Sequence, residues 1–303
     1  MKWNKNYDQT FTKECYASYC LRDVDVVTSR ANLVNVTVES EKDSFTALYN
    51  VFEAYDKQMM KKCFKGDEAK GNLYKCKWPV NFLPGKSMGV ESATFSPDYD
   101  LKTNDDDTEH VQLKNFIDVI NTQGSADSIK DTLEDTVDIE YFLRYSAMMW
   151  VIGNPDDMRN NENNSYVYFN GVDNKMIPIP YDNDRCFGIL HDWEIDTSTM
   201  WATSTKKCGQ DRAWNENPLL WRTIIEEKNS DVSYSDNYPV IQEWKETYLS
   251  LCKEYAEKYL SKEKFKAYND QFYYSNKDIS KGGSDNMSFG TYATNKLETL
   301  KNI

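Results

Sequence analysis

The chain has 303 residues, 40% hydrophobic and 14% aromatic, and a chain of this size buries about 75% of its unfolded surface in one or two globular domains. Its 36 Lys and Arg residues against 49 Asp and Glu residues give a net charge of -13, which disfavours nucleic acid as a partner and favours a cation or a cationic substrate. No window reaches the roughly 20 apolar residues of a membrane-spanning helix, and the first residues lack an apolar signal core.

The cysteines and histidines argue against the commonest metal and nucleophilic sites. No two of the 7 cysteines are spaced as C-x-x-C, and neither His110 nor His191 lies in an H-E-x-x-H motif. Walker A and G-x-G-x-x-G patterns are also absent from the sequence. Any chemistry must therefore come from carboxylates, amides and lysines.

The first part of the chain predicts a helix followed by a hairpin. Apolar residues at helical spacing favour a helix over about residues 11–22. Residues 32–39 alternate polar and apolar side chains, and a polar turn joins them to residues 45–52, which predicts an antiparallel hairpin. A short amphipathic helix over 56–64 and a short strand over 72–76 follow.

The remaining chain predicts a long loop, a buried helix, a second hairpin and a helical end. Residues 79–107 contain several prolines and show no period, which is typical of a loop. Residues 137–152 have a wide apolar face and predict a buried helix, which a glycine and a proline end. Strands are expected over 165–169 and 176–180, the second at a sheet edge because of its prolines. Further helices are expected near 218–227, 238–260, 262–272 and 288–302.

Carboxylates and amides flank the second hairpin. The start of the first strand lies beside the end of the second in an antiparallel pair, so both polar flanks can converge on one site. The residues expected there are Asp156, Asp157, Asn161, Asn164, Asp182 and Asp184. Such oxygen donors suit Mg²⁺ or Mn²⁺, and phosphoryl transfer needs one carboxylate as proton acceptor and another as metal ligand. The alternative is that this Asn- and Asp-rich loop merely turns the chain.

Three segments around this hairpin carry a family resemblance. They are Gly153-Asn154-Pro155-Asp156-Asp157, Asn163-Asn164-Ser165-Tyr166-Val167-Tyr168, and Ile179-Pro180-Tyr181-Asp182-Asn183-Asp184 with Phe187-Gly188. Together they resemble the spore coat protein H (CotH) kinase family. Two further segments, 47–53 and 71–75, add to the resemblance, which covers about residues 8–302.

The resemblance implies an α+β, atypical protein-kinase-like fold with a mostly helical large lobe and a truncated small lobe. The expected domains are a partial small lobe over residues 1–54, formed by a helix, a hairpin and the hinge, and a large lobe over 55–303. It also implies a secreted, cell-surface or spore-coat protein. Because this chain shows no signal peptide, a cytoplasmic location stays open.

The resemblance also implies roles for individual residues. Asp156 is expected as the catalytic base, with its neighbour Asp157 as the alternative. Asp182 is expected to bind the metal, and Asn164 is preferred over Asn161 as a further ligand. Asp184 joins this metal group, Glu53 would mark the hinge of the nucleotide site, and the implied cofactors are ATP with Mg²⁺ or Mn²⁺.

The start of the chain departs from the family pattern. Family members usually carry strands before the first helix, with a lysine that anchors the ATP phosphates, whereas only seven residues precede Asp8 here. Lys75 could replace that lysine, although an ordinary exposed strand lysine is the simpler interpretation. The chain is therefore expected to be a fragment, a split protein that needs a partner chain, or a degenerate kinase with weak ATP binding.

Three functions are consistent with these patterns. The first is a CotH-type kinase that transfers the ATP γ-phosphoryl group to serine hydroxyls of secreted or surface proteins. Its acidic charge predicts a basic, serine-rich protein substrate. The second is a non-catalytic kinase-like scaffold or surface binding module, motivated by the missing lysine. The third is a glycosidase that uses Asp156 and Asp182, although amides clustered beside the aspartates suit metal ligation better.

Overall fold

Strands of the chain form two sheets, and helices pack around them. The presence of both element types confirms the predicted α+β class. The computed structural model describes residues 1–3, 8–79, 81–189, 200–204, 216–225, 234–272 and 287–303.

The first sheet has the strand order β1-β3-β2, where β1 is Lys2–Trp3, β2 is Ala31–Glu39 and β3 is Ser44–Phe52. Both pairings are antiparallel, and β2 pairs with β3 along its whole length. The predicted hairpin is thus confirmed. The expectation that no strand precedes the first helix is wrong, because β1 adds to the free edge of β3. Two residues are too few to produce an alternating pattern that a sequence could reveal.

Helix α1 (Lys13–Arg22) follows β1 and confirms the first predicted helix. Nearly all of its side chains are buried. The Tyr16 ring lies 5.5 Å from that of Phe187 and 5.2 Å from that of Phe265. These contacts fix α1 against segments from the second half of the chain.

The second sheet has the strand order β5-β6-β4-β7-β8. Its strands are β4 (Asn72–Cys76), β5 (Met88–Gly89), β6 (Tyr99–Leu101), β7 (Ser165–Phe169) and β8 (Met176–Pro180). The predicted β7–β8 hairpin is confirmed, with β8 at the sheet edge as its prolines require. The loop predicted over 79–107 is wrong in part, because β5 and β6 lie within it. These strands are too short to show a period.

Helix α5 (Ile139–Ile152) is buried and leads to the start of the second hairpin, as predicted. Asp138 caps its first turn by accepting a 2.9 Å hydrogen bond from the Tyr141 amide. Gly153 ends it with a φ of 63° in the left-handed region. The other helices are α2 (Lys57–Cys63), α3 (Val111–Ile120), α4 (Ala126–Thr136), α6 (Pro218–Thr223), α7 (Tyr234–Asn237), α8 (Gln242–Tyr259), α9 (Lys262–Asn269) and α10 (Phe289–Thr299).

The C-terminal helices confirm the helical end that the sequence predicts, with shorter bounds. The predicted helix near 218–227 is found over Pro218–Thr223, and its last two positions lie outside the described residues. Within the described part of the chain, no helix combines the length and the apolar character that crossing a membrane requires.

Candidate functional site

The loop after α5 and the segment after β8 meet at the side chain of Asn154. Its Oδ1 accepts a 3.0 Å hydrogen bond from the Asp156 amide. Its Nδ2 donates to the Asp182 carbonyl at 3.3 Å and to Asn183 Oδ1 at 3.1 Å. The two polar flanks of the hairpin therefore converge, as the antiparallel pairing predicts.

A ring of asparagine amides surrounds the carboxylate of Asp156. Asn161 Nδ2 and Asn163 Nδ2 donate to its Oδ1 at 2.7 and 3.1 Å. Asn164 Nδ2 donates to its Oδ2 at 3.1 Å. These donors hold the half-buried carboxylate in one orientation. The sequence predicts Asn161 and Asn164 as site residues, but not Asn163.

Asp157 lies in a different environment from its neighbour. Its side chain is buried, with 1% exposure. Its Oδ1 accepts hydrogen bonds from the amide and from Nδ2 of Asn160, at 2.9 and 2.8 Å. Burial raises the pKa of Asp157 to about 6. The contacts of Asp157 shape the loop itself, whereas Asp156 is the aspartate with access to solvent.

Lys2 joins three carboxylates, one on α1 and two in the segment after β8. Its ammonium group forms ion pairs with Glu14 of α1 at 3.0 Å, with Asp184 at 3.1 Å, and with Asp182. Burial alone would lower the pKa of Lys2, but these carboxylates raise it. Lys2 of β1 thus reaches the polar segment after β8, a contact that the sequence did not predict.

Glu14 is the buried partner in this cluster. Burial raises its pKa to about 7, against the opposing effect of Lys2, and the nearby Asp184 and Asp182 carboxylates add to the rise. Helical spacing predicted α1, but it did not distinguish Glu14 from an ordinary surface glutamate. Lys2 lies 12 residues from Glu14 and 180 from Asp182 along the chain. Only the tertiary fold brings these residues together.

The carboxylate and amide oxygens of the site are of the kind that a hard cation binds. Asp182 and Asp184 already share one positive charge, the Lys2 ammonium. Asn161 Oδ1 is a buried acceptor with no hydrogen-bond donor among the described residues. Asn164 and Asp182 both have left-handed backbones, with φ of 51° and 56°, and such strain is common at functional sites. No group of three or more His, Cys, Asp or Glu side chains in the described ranges is arranged as a metal cluster.

The two residues predicted for nucleotide binding lie in different surroundings. Glu53 directly follows β3 and forms ion pairs with Arg30 at 2.9 Å and with Lys62. Hydrogen bonds from these partners, with that from Arg30 the strongest, lower the pKa of Glu53 to about 2. The Lys75 ammonium lies 5.2 Å from the ring centroid of Tyr181. Lys75 is thus beside the site, but Lys2 is the lysine paired with Asp182.

An aromatic cluster, which the sequence did not predict, joins the segment after β3 to the second sheet near Asp182. The rings of Tyr55 and Tyr166 stack with centroids 4.8 Å apart. Tyr181 packs edge-on against Tyr166 at 5.0 Å. The Tyr55 hydroxyl donates to the Pro180 carbonyl at 2.9 Å. These contacts place flat apolar surface beside the polar site.

A family model described as CotH kinase protein matches residues 4–275, which include the three segments that carry the resemblance in the sequence. No curated protein matches the chain.

Proposed function

The chain belongs to the CotH kinase protein family, and we propose on this premise that it is a protein kinase with a two-lobed, kinase-like fold. The proposed small lobe is residues 1–54, with the first sheet and α1, and the proposed large lobe is residues 55–303. The reaction is transfer of the ATP γ-phosphoryl group to a serine hydroxyl. Mg²⁺ or Mn²⁺ is the expected metal.

The observation that carries this proposal is the ion-pair cluster around Lys2. Protein kinases use a strand lysine paired with a helix glutamate, together with an aspartate that holds the metal. In this chain Lys2 lies on a strand and Glu14 lies on a helix, and the Lys2 ammonium pairs with both Glu14 and Asp182. Lys2 is therefore the proposed phosphate-anchoring cation, and Lys75 is not needed for that role.

Asp156 is the proposed proton acceptor. The asparagine amides fix the orientation of its carboxylate and leave it accessible. An incoming serine hydroxyl could therefore donate its proton to this carboxylate while the hydroxyl oxygen attacks phosphorus. The buried carboxylate of Asp157 could not reach a substrate without rearrangement of the loop.

Asp182, Asp184 and the oxygens of Asn161 and Asn164 are the proposed metal ligands. The bound metal would neutralise charge on the phosphates during transfer. With a nucleotide bound, Lys2 would contact a phosphate in place of Asp182 and would keep its pairing with Glu14. The partly exposed rings of Tyr55 and Tyr181 offer apolar surface for the nucleotide base.

The net charge of -13 favours a basic, serine-rich protein substrate. The family is associated with the spore coat, which supports a secreted or surface protein as substrate. The non-catalytic scaffold remains the second candidate, favoured by the Lys2 ammonium on the proposed metal ligands. A chain that binds nucleotide and never transfers phosphate would support it.

Substitution of Asp156 tests the kinase proposal directly. We expect Asp156→Asn to abolish transfer of labelled phosphate from ATP to a basic serine peptide, because the amide cannot accept the proton. ATP binding, measured by calorimetry with Mg²⁺, should persist. Asp118→Asn, on the exposed face of α3, is the matched control and should retain activity. An active Asp156→Asn variant beside an inactive Asp157→Asn variant would reverse the assignment of the base.

A further inference from the structure

Asn154 is a buried residue in the loop after α5, between the proposed base Asp156 and the proposed metal ligand Asp182. Its exposure is 0%, so its side chain cannot contact ATP or a substrate. The side chain nevertheless forms hydrogen bonds to the backbone of both aspartates. Any contribution of Asn154 to phosphoryl transfer must therefore act through these neighbours.

Backbone groups determine the orientation of the Asn154 side-chain amide. The Asp156 amide donates to its Oδ1 at 3.0 Å, and its Nδ2 donates to the Asp182 carbonyl at 3.3 Å. A backbone N–H can only donate and a carbonyl can only accept, so the two ends of the side-chain amide cannot be exchanged. An ionised aspartate of the same size has no donor, and a leucine has neither donor nor acceptor. The position thus requires the paired donor and acceptor of asparagine.

The β7–β8 hairpin alone does not fix the distance between the two aspartates. At its open end the Tyr181 amide donates to the Asn164 carbonyl at 3.2 Å. A second backbone bond joins the same two segments at the end of α5, where the Phe187 amide donates to the Ile152 carbonyl at 2.8 Å. Both aspartates lie between these two points along the chain, and there the Asn154 side chain joins the segments.

A second buried asparagine holds Asn154 from the other side of the loop. Asn160 is 2% exposed, and its Nδ2 donates to the Asn154 carbonyl at 3.0 Å and to Asp157 Oδ1 at 2.8 Å. The Asn161 amide then donates to the Asp157 carbonyl at 2.9 Å. This turn leads into the asparagines whose side chains donate to Asp156. Movement of Asn154 would therefore displace both the base and its donors.

We propose that Asn154 is a positioning residue that sets the separation between the Asp156 carboxylate and the metal ligand Asp182. The assignment rests on the proposed kinase function and adds to it the residue that aligns base and metal. Asp182 directly follows the backbone bond at Tyr181, so loss of Asn154 should move the loop of the base more than the metal ligand. A displacement of about 1 Å can lower a rate about a hundredfold. The turnover rate should therefore depend on Asn154, whereas the affinities for ATP and metal should not.

Steady-state kinetics of Asn154→Ala test this role against a matched buried asparagine. Asn72, at the start of β4, is 5% exposed, and its side chain forms three hydrogen bonds, with Asp107, Gln112 and Asn104. The Asn154 side chain also forms three. For transfer of labelled phosphate from ATP to a basic serine peptide, we expect Asn154→Ala to lower kcat about tenfold or more and to leave the KM for ATP unchanged. Asn72→Ala should keep the kcat of the unsubstituted chain.

A second variant keeps the test decisive if Asn154→Ala does not fold. Asn160→Ala removes the side chain that supports the Asn154 carbonyl and leaves the Asn154 side chain in place. It should also lower kcat at an unchanged KM for ATP. Calorimetry of both variants with Mg²⁺ should give the affinity of the unsubstituted chain. A kcat equal to that of Asn72→Ala, or a loss of Mg²⁺ affinity as large as the loss of kcat, would overturn the proposal.

Amide hydrogen exchange tests the bridge without catalysis. The Asp156 amide donates to Asn154 Oδ1, so Asn154→Ala should speed its exchange about tenfold or more. The amides of the central strand β7 should keep their protection in the same variant. An unchanged exchange rate at Asp156 would show that Asn154 does not hold the loop and would overturn the proposal. Absence of transfer by the unsubstituted chain would count against the kinase proposal, whereas exchange at Asp156 would still decide whether Asn154 holds the loop.

Discussion

Lys296 is a buried lysine whose ammonium group has no hydrogen-bond partner among the described residues. Its exposure is 0%, and its Nζ lies 4.4 Å from the ring centroid of Trp150. Burial, reinforced by the nearby Arg159, lowers the pKa of Lys296 well below its ordinary value. The folded state therefore binds the proton of this amine less tightly than the unfolded chain does.

Replacement of this lysine should stabilise the protein. Methionine keeps a long flexible apolar chain against Trp150 and removes the amine, so Lys296→Met should raise the free energy of unfolding at pH 7 by about 1–3 kcal/mol. Between the lowered pKa and the ordinary value near 10.5, the unfolded state binds the extra proton. Stability should thus rise with pH in that window for the unsubstituted chain, and the variant should lack this contribution.

Urea denaturation at several pH values would measure this effect. The exposed Lys301, paired with Glu298, provides the control, and Lys301→Met should change stability by less than about 1 kcal/mol. A destabilised Lys296→Met variant with the same pH dependence as the unsubstituted chain would show that the amine is charged and has a partner in solution.

At the scale of elements, Gly153 positions the loop that carries Asp156. Its φ of 63° ends α5, and a Cβ at this position would overlap the Tyr292 hydroxyl and lie 2.9 Å from Tyr292 Cζ. That hydroxyl also donates to the Val151 carbonyl at 2.8 Å. Gly153→Ala should therefore combine backbone strain with a clash and destabilise folding by about 2–4 kcal/mol.

Gly66 separates the two contributions to that loss. Its φ is 57°, close to that of Gly153, yet a Cβ there would meet nothing within 4 Å. Gly66→Ala should cost only the backbone strain, about 1 kcal/mol. Thermal unfolding of both variants would measure the difference. Equal losses would mean that Tyr292 moves aside freely and that packing does not fix the end of α5.

Helices and strands whose apolar residues recur at a regular spacing were predictable from the sequence. Elements too short to show such a spacing were not. Helix α5 and both hairpins follow from apolar spacing over several residues and from the glycine and prolines near their ends. The short strands β1, β5 and β6 form because neighbouring strands offer free edges, which a local pattern does not record.

At the scale of the whole molecule, local sequence patterns predicted only part of the candidate site. Hairpin geometry placed Asp156 and Asp182 together, because both flank one pair of adjacent strands. The ion pairs of Lys2 with Glu14 and Asp182 depend on how β1 and α1 pack against the segment after β8. No spacing rule predicts a contact between residues this far apart in the sequence. This is why the sequence led to the expectation that the phosphate-anchoring lysine is missing.

Removal of Lys2 should therefore change the affinities for nucleotide and for metal in opposite directions. If Lys2 anchors phosphate, Lys2→Met removes one charge-assisted contact and should weaken ATP binding by about 1.5–3 kcal/mol, or roughly ten- to hundredfold. In the absence of nucleotide, the ammonium competes with a cation for Asp182 and Asp184. Its removal should strengthen Mg²⁺ binding.

Calorimetric titration of Mg²⁺ alone, and of a non-hydrolysable ATP analogue with Mg²⁺, would measure both affinities. The exposed Lys57 of α2 supplies a control, and Lys57→Met should alter neither. A general loss of structure would weaken both ligands together, whereas removal of a competing and anchoring ammonium predicts changes of opposite sign. Unchanged affinity for both ligands in Lys2→Met would show that the cluster around Lys2 is a structural ion pair and that phosphate is anchored elsewhere.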